Sequence, residues 1–143
     1  MGQLVLKMGK YLFYFITLIT INTSCNEIES QIPDVLRPFP INLNIYNELQ
    51  NPGSSVYFAG VGFGGVIVSC LSPGEYYAYD ASCTHEVTQA CHIEPEGLLG
   101  TCSCCESQFQ LMYSAYPIEG LATTPLRQYN VSVLGGNTHR VYN

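Results

Sequence analysis

Five of the seven cysteines and two of the three histidines (Cys83, His85, Cys91, His92, Cys102, Cys104, Cys105) fall within 23 residues. So dense a run of soft donors restricts what the chain can become before any strand is assigned. Thiolates and neutral imidazoles hold zinc, iron or iron–sulfur clusters, whereas carboxylates suit harder ions. Thiols left without metal in oxidising surroundings become disulfides. Cys83 and His85 are two apart, so on an extended loop both side chains can turn toward one ion. Cys102 and Cys105 form a C-x-x-C knuckle, whose tight turn brings two thiolates to one centre. Sixteen residues separate His85 from Cys102, enough for a short hairpin that folds one loop over the other. Two loops with two ligands each make a closed four-ligand site.

The order of residues adds a resemblance. Cys83-Thr84-His85, followed after sixteen residues by Cys102-Ser103-Cys104-Cys105-Glu106-Ser107-Gln108-Phe109, resembles the Rieske [2Fe-2S] signature, C-T-H and then C-P-C-H-G-S-x-F. The flanks agree: residues 74–80 (GEYYAYD) resemble the strand entering the first ligand loop, and residues 120–126 (GLATTPL) the proline-containing segment after the second. The likeness spans residues 39–143. It implies an all-β fold, a Rieske-like antiparallel sandwich or barrel with a small inserted ligand-loop subdomain. It also implies a [2Fe-2S] cluster on Cys83, His85, Cys102 and Cys105, single-electron transfer to a redox partner the residues do not identify, and a Cys91–Cys104 disulfide clamping the loops. A bridge closing so short a loop stabilises by about 2 to 3 kcal/mol on the chain-entropy model.

The match is incomplete where it bears on a cluster. Cys105 stands where the family has its last histidine, Glu106 replaces the next glycine, and Phe109 lacks the hydroxyl that an aromatic there often offers the cluster. Ser107 matches the serine that hydrogen-bonds a bridging sulfide. A thiolate in place of an imidazole adds one negative charge, so a Cys₃His cluster is expected below the ordinary Rieske potential range. The same donors support two other readings. One is a structural zinc on Cys83, Cys102 and Cys105 with His85 or Cys91 as fourth ligand. The other is a clusterless, disulfide-braced surface lipoprotein that keeps the fold as an interaction module.

The start of the chain bears on that choice. Lys7 and Lys10 precede an eleven-residue apolar run, Tyr11 to Ile21, which is short for a membrane span and reads as a secretory signal over residues 1–24. Asn22-Thr23-Ser24-Cys25 resembles the bacterial lipobox, with Asn22 where leucine is usual. This implies diacylation of Cys25, a lipid-anchored linker over 25–38 and a domain over 39–143, exported to the periplasmic or cell-surface face. The leader has no twin arginine, so export of an unfolded chain stands against insertion of a cluster beforehand. Without the leader, three arginines face eleven acids, a net charge of −8. Such a surface excludes nucleic acid as a partner.

From Phe39 the pattern is that of strands. Residues 39–46 alternate apolar and polar, and further strands are expected over 55–59, 65–71, 75–79, 109–113, 126–134 and 138–142. Turns at Asn51-Pro52-Gly53, Ser72-Pro73-Gly74 and Gly135-Gly136-Asn137 separate them. The glycine-rich stretch 60–65 has no amphipathic helix after it, so it reads as a flexible hairpin connection and not a phosphate loop. Cys70, in an apolar strand, is expected to be a buried thiol, His92 a solvent-facing loop residue and His139 structural or exposed. The chain is too short, and too poor in histidine, for the second iron domain of an oxygenase. If part of an enzyme system, it is an electron-transfer component.

Overall fold

The computed structural model describes residues 31–143. The leader, Cys25 and the first part of the linker lie outside the described residues. Ten strands follow in order: β1 (Phe39–Asn42), β2 (Ser54–Phe58), β3 (Val66–Ser72), β4 (Glu75–Asp80), β5 (Ile93–Glu96), β6 (Leu99–Cys102), β7 (Gln108–Gln110), β8 (Pro117–Glu119), β9 (Gln128–Gly135) and β10 (Thr138–Tyr142). They form a six-stranded antiparallel sheet ordered β1-β10-β9-β4-β3-β2 and a four-stranded antiparallel sheet ordered β5-β6-β7-β8. The second sheet is wholly inserted between β4 and β9. This is the all-β architecture with an inserted ligand-loop subdomain that the sequence leads one to expect.

β3 explains how the two parts become one body. Val66 to Cys70 are all buried, so the strand reads as a continuous apolar run, as a strand covered on both faces does. Its side chains alternate between two cores. Val66, Val68 and Cys70 point into one with Ile41, Leu49, Ala78, Tyr129 and Val141. Ile67 points into the other with Tyr79, Ile93, Phe109, Leu111 and the site cysteines Cys83, Cys91 and Cys102. The inserted sheet therefore rests its ligand loops on the back of the larger one. Ser69 Oγ donates to the Leu111 carbonyl at 2.6 Å and the Tyr79 hydroxyl to that of Tyr113 at 2.8 Å, which satisfies polar groups along the seam.

Strands β5, β6 and β8 are not among those expected from the sequence, and two further stretches differ from that reading. β1 ends at Asn42 instead of running to Tyr46, because the Asn42 side chain accepts the Asn44 N–H and its carbonyl accepts those of Ile45 and Tyr46. That side-chain competition for the backbone turns the chain into a short 3₁₀ helix, Asn47–Gln50, although the apolar alternation continues. Residues 32–37, read as part of a solvated linker, are docked. Ile32 and Leu36 are buried, and Arg127 holds the segment through the Ile32 carbonyl (2.9 Å) and the Asp34 carboxylate (2.9 Å). Cys70 is a buried thiol as expected. His139 is buried too, edge-on to Tyr76. His92 is half-buried, stacked on Tyr57.

Candidate metal centre

The first ligand loop leaves β4 at Asp80, and Asp80 fixes it. The carboxylate is completely buried. Its Oδ1 accepts the N–H groups of Gly64 (3.0 Å) and Ser82 (2.9 Å), and its Oδ2 accepts the Phe63 N–H (2.7 Å) and the Tyr129 hydroxyl (2.8 Å). The glycine-rich stretch is thus no loose connection but a buttress under the ligand loop. A Cβ at Gly64 would lie 2.6 Å from the Ser82 nitrogen, so only glycine lets the two backbones approach this closely.

The second loop is a tight turn after β6. The Glu106 N–H bonds the Cys102 carbonyl, and the Cys102 N–H bonds that of Ser107. Glu106 closes the turn at φ +58°, the left-handed region where the resembling motif carries glycine. Non-glycine residues there carry about 1 kcal/mol or more of strain. Glu106→Gly is therefore expected to raise stability by about 1 kcal/mol in a urea titration. The Cys83 N–H to the Cys91 carbonyl closes the first loop on itself, and the two loops are tied together by the Ser103 N–H to the His92 carbonyl and by the Cys91–Cys104 disulfide. With Cys91 in that bond, the alternative in which Cys91 is a fourth ligand is corrected: a disulfide sulfur is not a thiolate.

Of the four expected ligands, three converge. The sulfurs of Cys83, Cys102 and Cys105 lie within 4.8 Å of one another, and Cys83 and Cys105 are 3.5 Å apart. Cys83 and Cys102 are buried and Cys105 is partly exposed. His85 is exposed, and its imidazole is not a member of the three-sulfur group.

Hydrogen-bond donors already surround two of these sulfurs. Backbone N–H groups of His85 and Glu86 address Cys83. Ser107 Oγ accepts the N–H groups of Leu121 (2.9 Å) and Ala122 (3.0 Å) and the Cys105 thiol proton (3.1 Å); once Cys105 is a thiolate, the hydroxyl proton can turn to the sulfur. A Cβ on Gly120, at φ +97°, would strike Ser107 at 2.5 Å, so glycine there keeps the hydroxyl in place. Burial, with help from the Cys102 thiol, pushes Cys83 up to about 12. Burial acts the same way on Cys105, but hydrogen bonds from the Ser107 hydroxyl and N–H and from the Cys102 and Cys83 thiols outweigh it. Cys105 ends below its ordinary value. The pocket thus favours one thiolate at its mouth and leaves the buried protons to be displaced by a cation, as thiolate metal sites require.

Donor chemistry therefore fits a thiophilic metal: three sulfurs converge, N–H and O–H groups address two of them, and no carboxylate joins the group. No protein-family model matches the chain, and no curated protein matches it. Solved structures do resemble it. The ferredoxin of carbazole 1,9a-dioxygenase from Nocardioides aromaticivorans IC177 is 24% identical over 73% of this chain and 96% of that one, with a TM-score of 0.47. A chain from the complex of reduced oxygenase and oxidized ferredoxin in carbazole 1,9a-dioxygenase is 22% identical over 63% of this chain and 90% of its own, with a TM-score of 0.46.

Sequence reasoning missed Asp80, Gly64 and Tyr129, which hold the site without touching it. The available signal was an acidic residue closing the strand three residues before the first ligand, after the apolar run Tyr76 to Tyr79.

Proposed function

We propose that this chain is an electron-transfer protein whose [2Fe-2S] centre is held by Cys83, Cys102, Cys105 and His85. The observation that carries the reading is the convergence of three thiols from two separate loops to within 4.8 Å. Burial sorts the four residues into an inner pair, Cys83 and Cys102, and an outer pair, His85 and Cys105, with one member of each pair on each loop. Two irons, one enclosed and one facing outward, call for that division. When bound, the cluster supplies one-electron oxidation and reduction. The chain's own residues supply the thiolates, the hydrogen bonds that tune them and the apolar core that excludes water from Cys83 and Cys102. With three thiolates the potential lies below that of a Cys₂His₂ centre.

One observation favours a second reading. Bonds of about 2.3 Å at tetrahedral angles set the sulfurs of a single ion about 3.8 Å apart, close to the 3.5 Å between Cys83 and Cys105. A structural zinc needs no movement of those two side chains. We further propose export and lipid attachment at Cys25; the Cys91–Cys104 disulfide suits an oxidising compartment.

A single preparation tests these readings: the full chain purified natively from cells fed labelled fatty acid, with its visible spectrum and its iron and zinc content measured. Brown protein with two irons per chain, labelled at Cys25, is the expected result. Colourless protein with one zinc selects the second reading, and metal-free protein overturns both.

A further inference from the structure

We infer that Cys83 and Cys105 are a redox pair, so that this site exists either as metal-holding thiolates or as a cross-loop disulfide, never both. The two sulfurs stand 3.5 Å apart and come from different loops. Bond formation at about 2.05 Å asks them to close by about 1.5 Å, within reach of small side-chain rotations at the loop tips. The pair is asymmetric in the way a dithiol couple needs. Cys105 is partly exposed and hydrogen-bonded to Ser107 Oγ, so it can meet an oxidant, while Cys83 is fully buried with the Cys105 sulfur 3.5 Å away. The neighbouring Cys91–Cys104 bond shows that the two loops already tolerate one covalent bridge. Among the described residues the remaining free thiol, Cys70, lies in the other core and takes no part.

With a peroxide as oxidant the chemistry balances. The Cys105 sulfur attacks the O–O bond and becomes a sulfenic acid as one water leaves. The Cys83 sulfur then displaces the sulfenic oxygen as a second water, so two thiols and one peroxide give one disulfide and two waters. A disulfide removes two of the three converging thiolates and leaves Cys102 alone. Metal and oxidant therefore compete for the same electron pairs.

The exclusion half of this inference rests on the metal-binding reading; the disulfide half does not. The test uses the full chain, stripped of metal by chelator, treated with hydrogen peroxide and digested for disulfide mapping, with zinc uptake measured before and after. We expect a peptide linking Cys83 to Cys105 in the wild type and in Cys102→Ser, none in Cys105→Ser, and at least a tenfold loss of zinc uptake that a reductant restores. A bridge from Cys102, or three thiols that stay reduced under peroxide, overturns the pair. Equal zinc uptake by oxidised and reduced protein overturns the exclusion. Protein that takes up no zinc or iron in any state refutes the metal reading instead, while the disulfide map still decides the pair.

Discussion

Asp80→Ala is expected to destabilise the domain by about 3 to 5 kcal/mol, a large share of the 5 to 15 kcal/mol typical of a domain. The carboxylate is wholly buried and accepts four hydrogen bonds, from Phe63, Gly64, Ser82 and Tyr129. Removing it leaves four donors without a partner, three of them in fully buried hydrogen bonds and the Phe63 N–H part-buried. Each such group costs about 1 to 3 kcal/mol, reduced by whatever relaxation the site allows. Overpacking or cavity terms are secondary, since alanine is small and the surrounding groups are polar. Asp80→Asn keeps one acceptor oxygen but turns an amide N–H₂ toward other donors, so it should cost about half as much. Urea unfolding followed by circular dichroism reads the change; a cost below about 1 kcal/mol for alanine would show that the network is not what holds the loop. The same variants should also hold metal less tightly, because Ser82, whose N–H the carboxylate fixes, immediately precedes Cys83.

That network marks where sequence reading ran out. Hairpins were legible because their turns are chemical: Pro73-Gly74 and Gly136-Asn137 close them, and the strands between carry period-2 or continuous apolar runs. The convergence of Cys83, Cys102 and Cys105 was legible because thiols at those spacings on two loops have one efficient way to face one another. What was not legible depends on groups distant in sequence. Asp80 looks like a strand end until Tyr129, 49 residues later, is found against it. Residues 32–37 look like a polar linker until Arg127, 95 residues beyond Ile32, is seen to hold them. Asn42 ends β1 through its own side chain, against an apolar pattern that continues. Glu106 keeps a backbone conformation that its side chain disfavours, so the turn, and not the residue, is what this loop preserves. His85 is in the expected loop, but spacing alone did not show that it is exposed and outside the three-sulfur group.

Cys102→Ser is expected to lower metal affinity at least a hundredfold while leaving the fold in place. Cys102 ends β6, is 1% exposed, and has its N–H fixed on the Ser107 carbonyl, so no water or neighbouring side chain can take over its role. Structural zinc in small thiolate sites binds with about 10 to 16 kcal/mol shared among four ligands. One ligand is then worth about 3 kcal/mol, which is more than a hundredfold in affinity. Serine matches the thiol in volume but is a poor ligand at neutral pH, so the metal-free protein should change by no more than about 1 kcal/mol in urea. Cys70→Ser supplies the contrast: its thiol lies in the other core, beyond the three-sulfur group, and that variant should bind as the wild type does. His85→Ala tests the fourth ligand, since the cluster reading needs the imidazole and, with Cys91 held in the disulfide, so does a four-ligand zinc; the metal content, not this variant, separates the two. Titration with zinc and with ferrous iron plus sulfide, read by competition with a chromophoric chelator and by visible absorbance, measures all three variants. Wild-type affinity in Cys102→Ser would mean that the buried thiols are core residues and that the convergence of sulfurs serves packing alone.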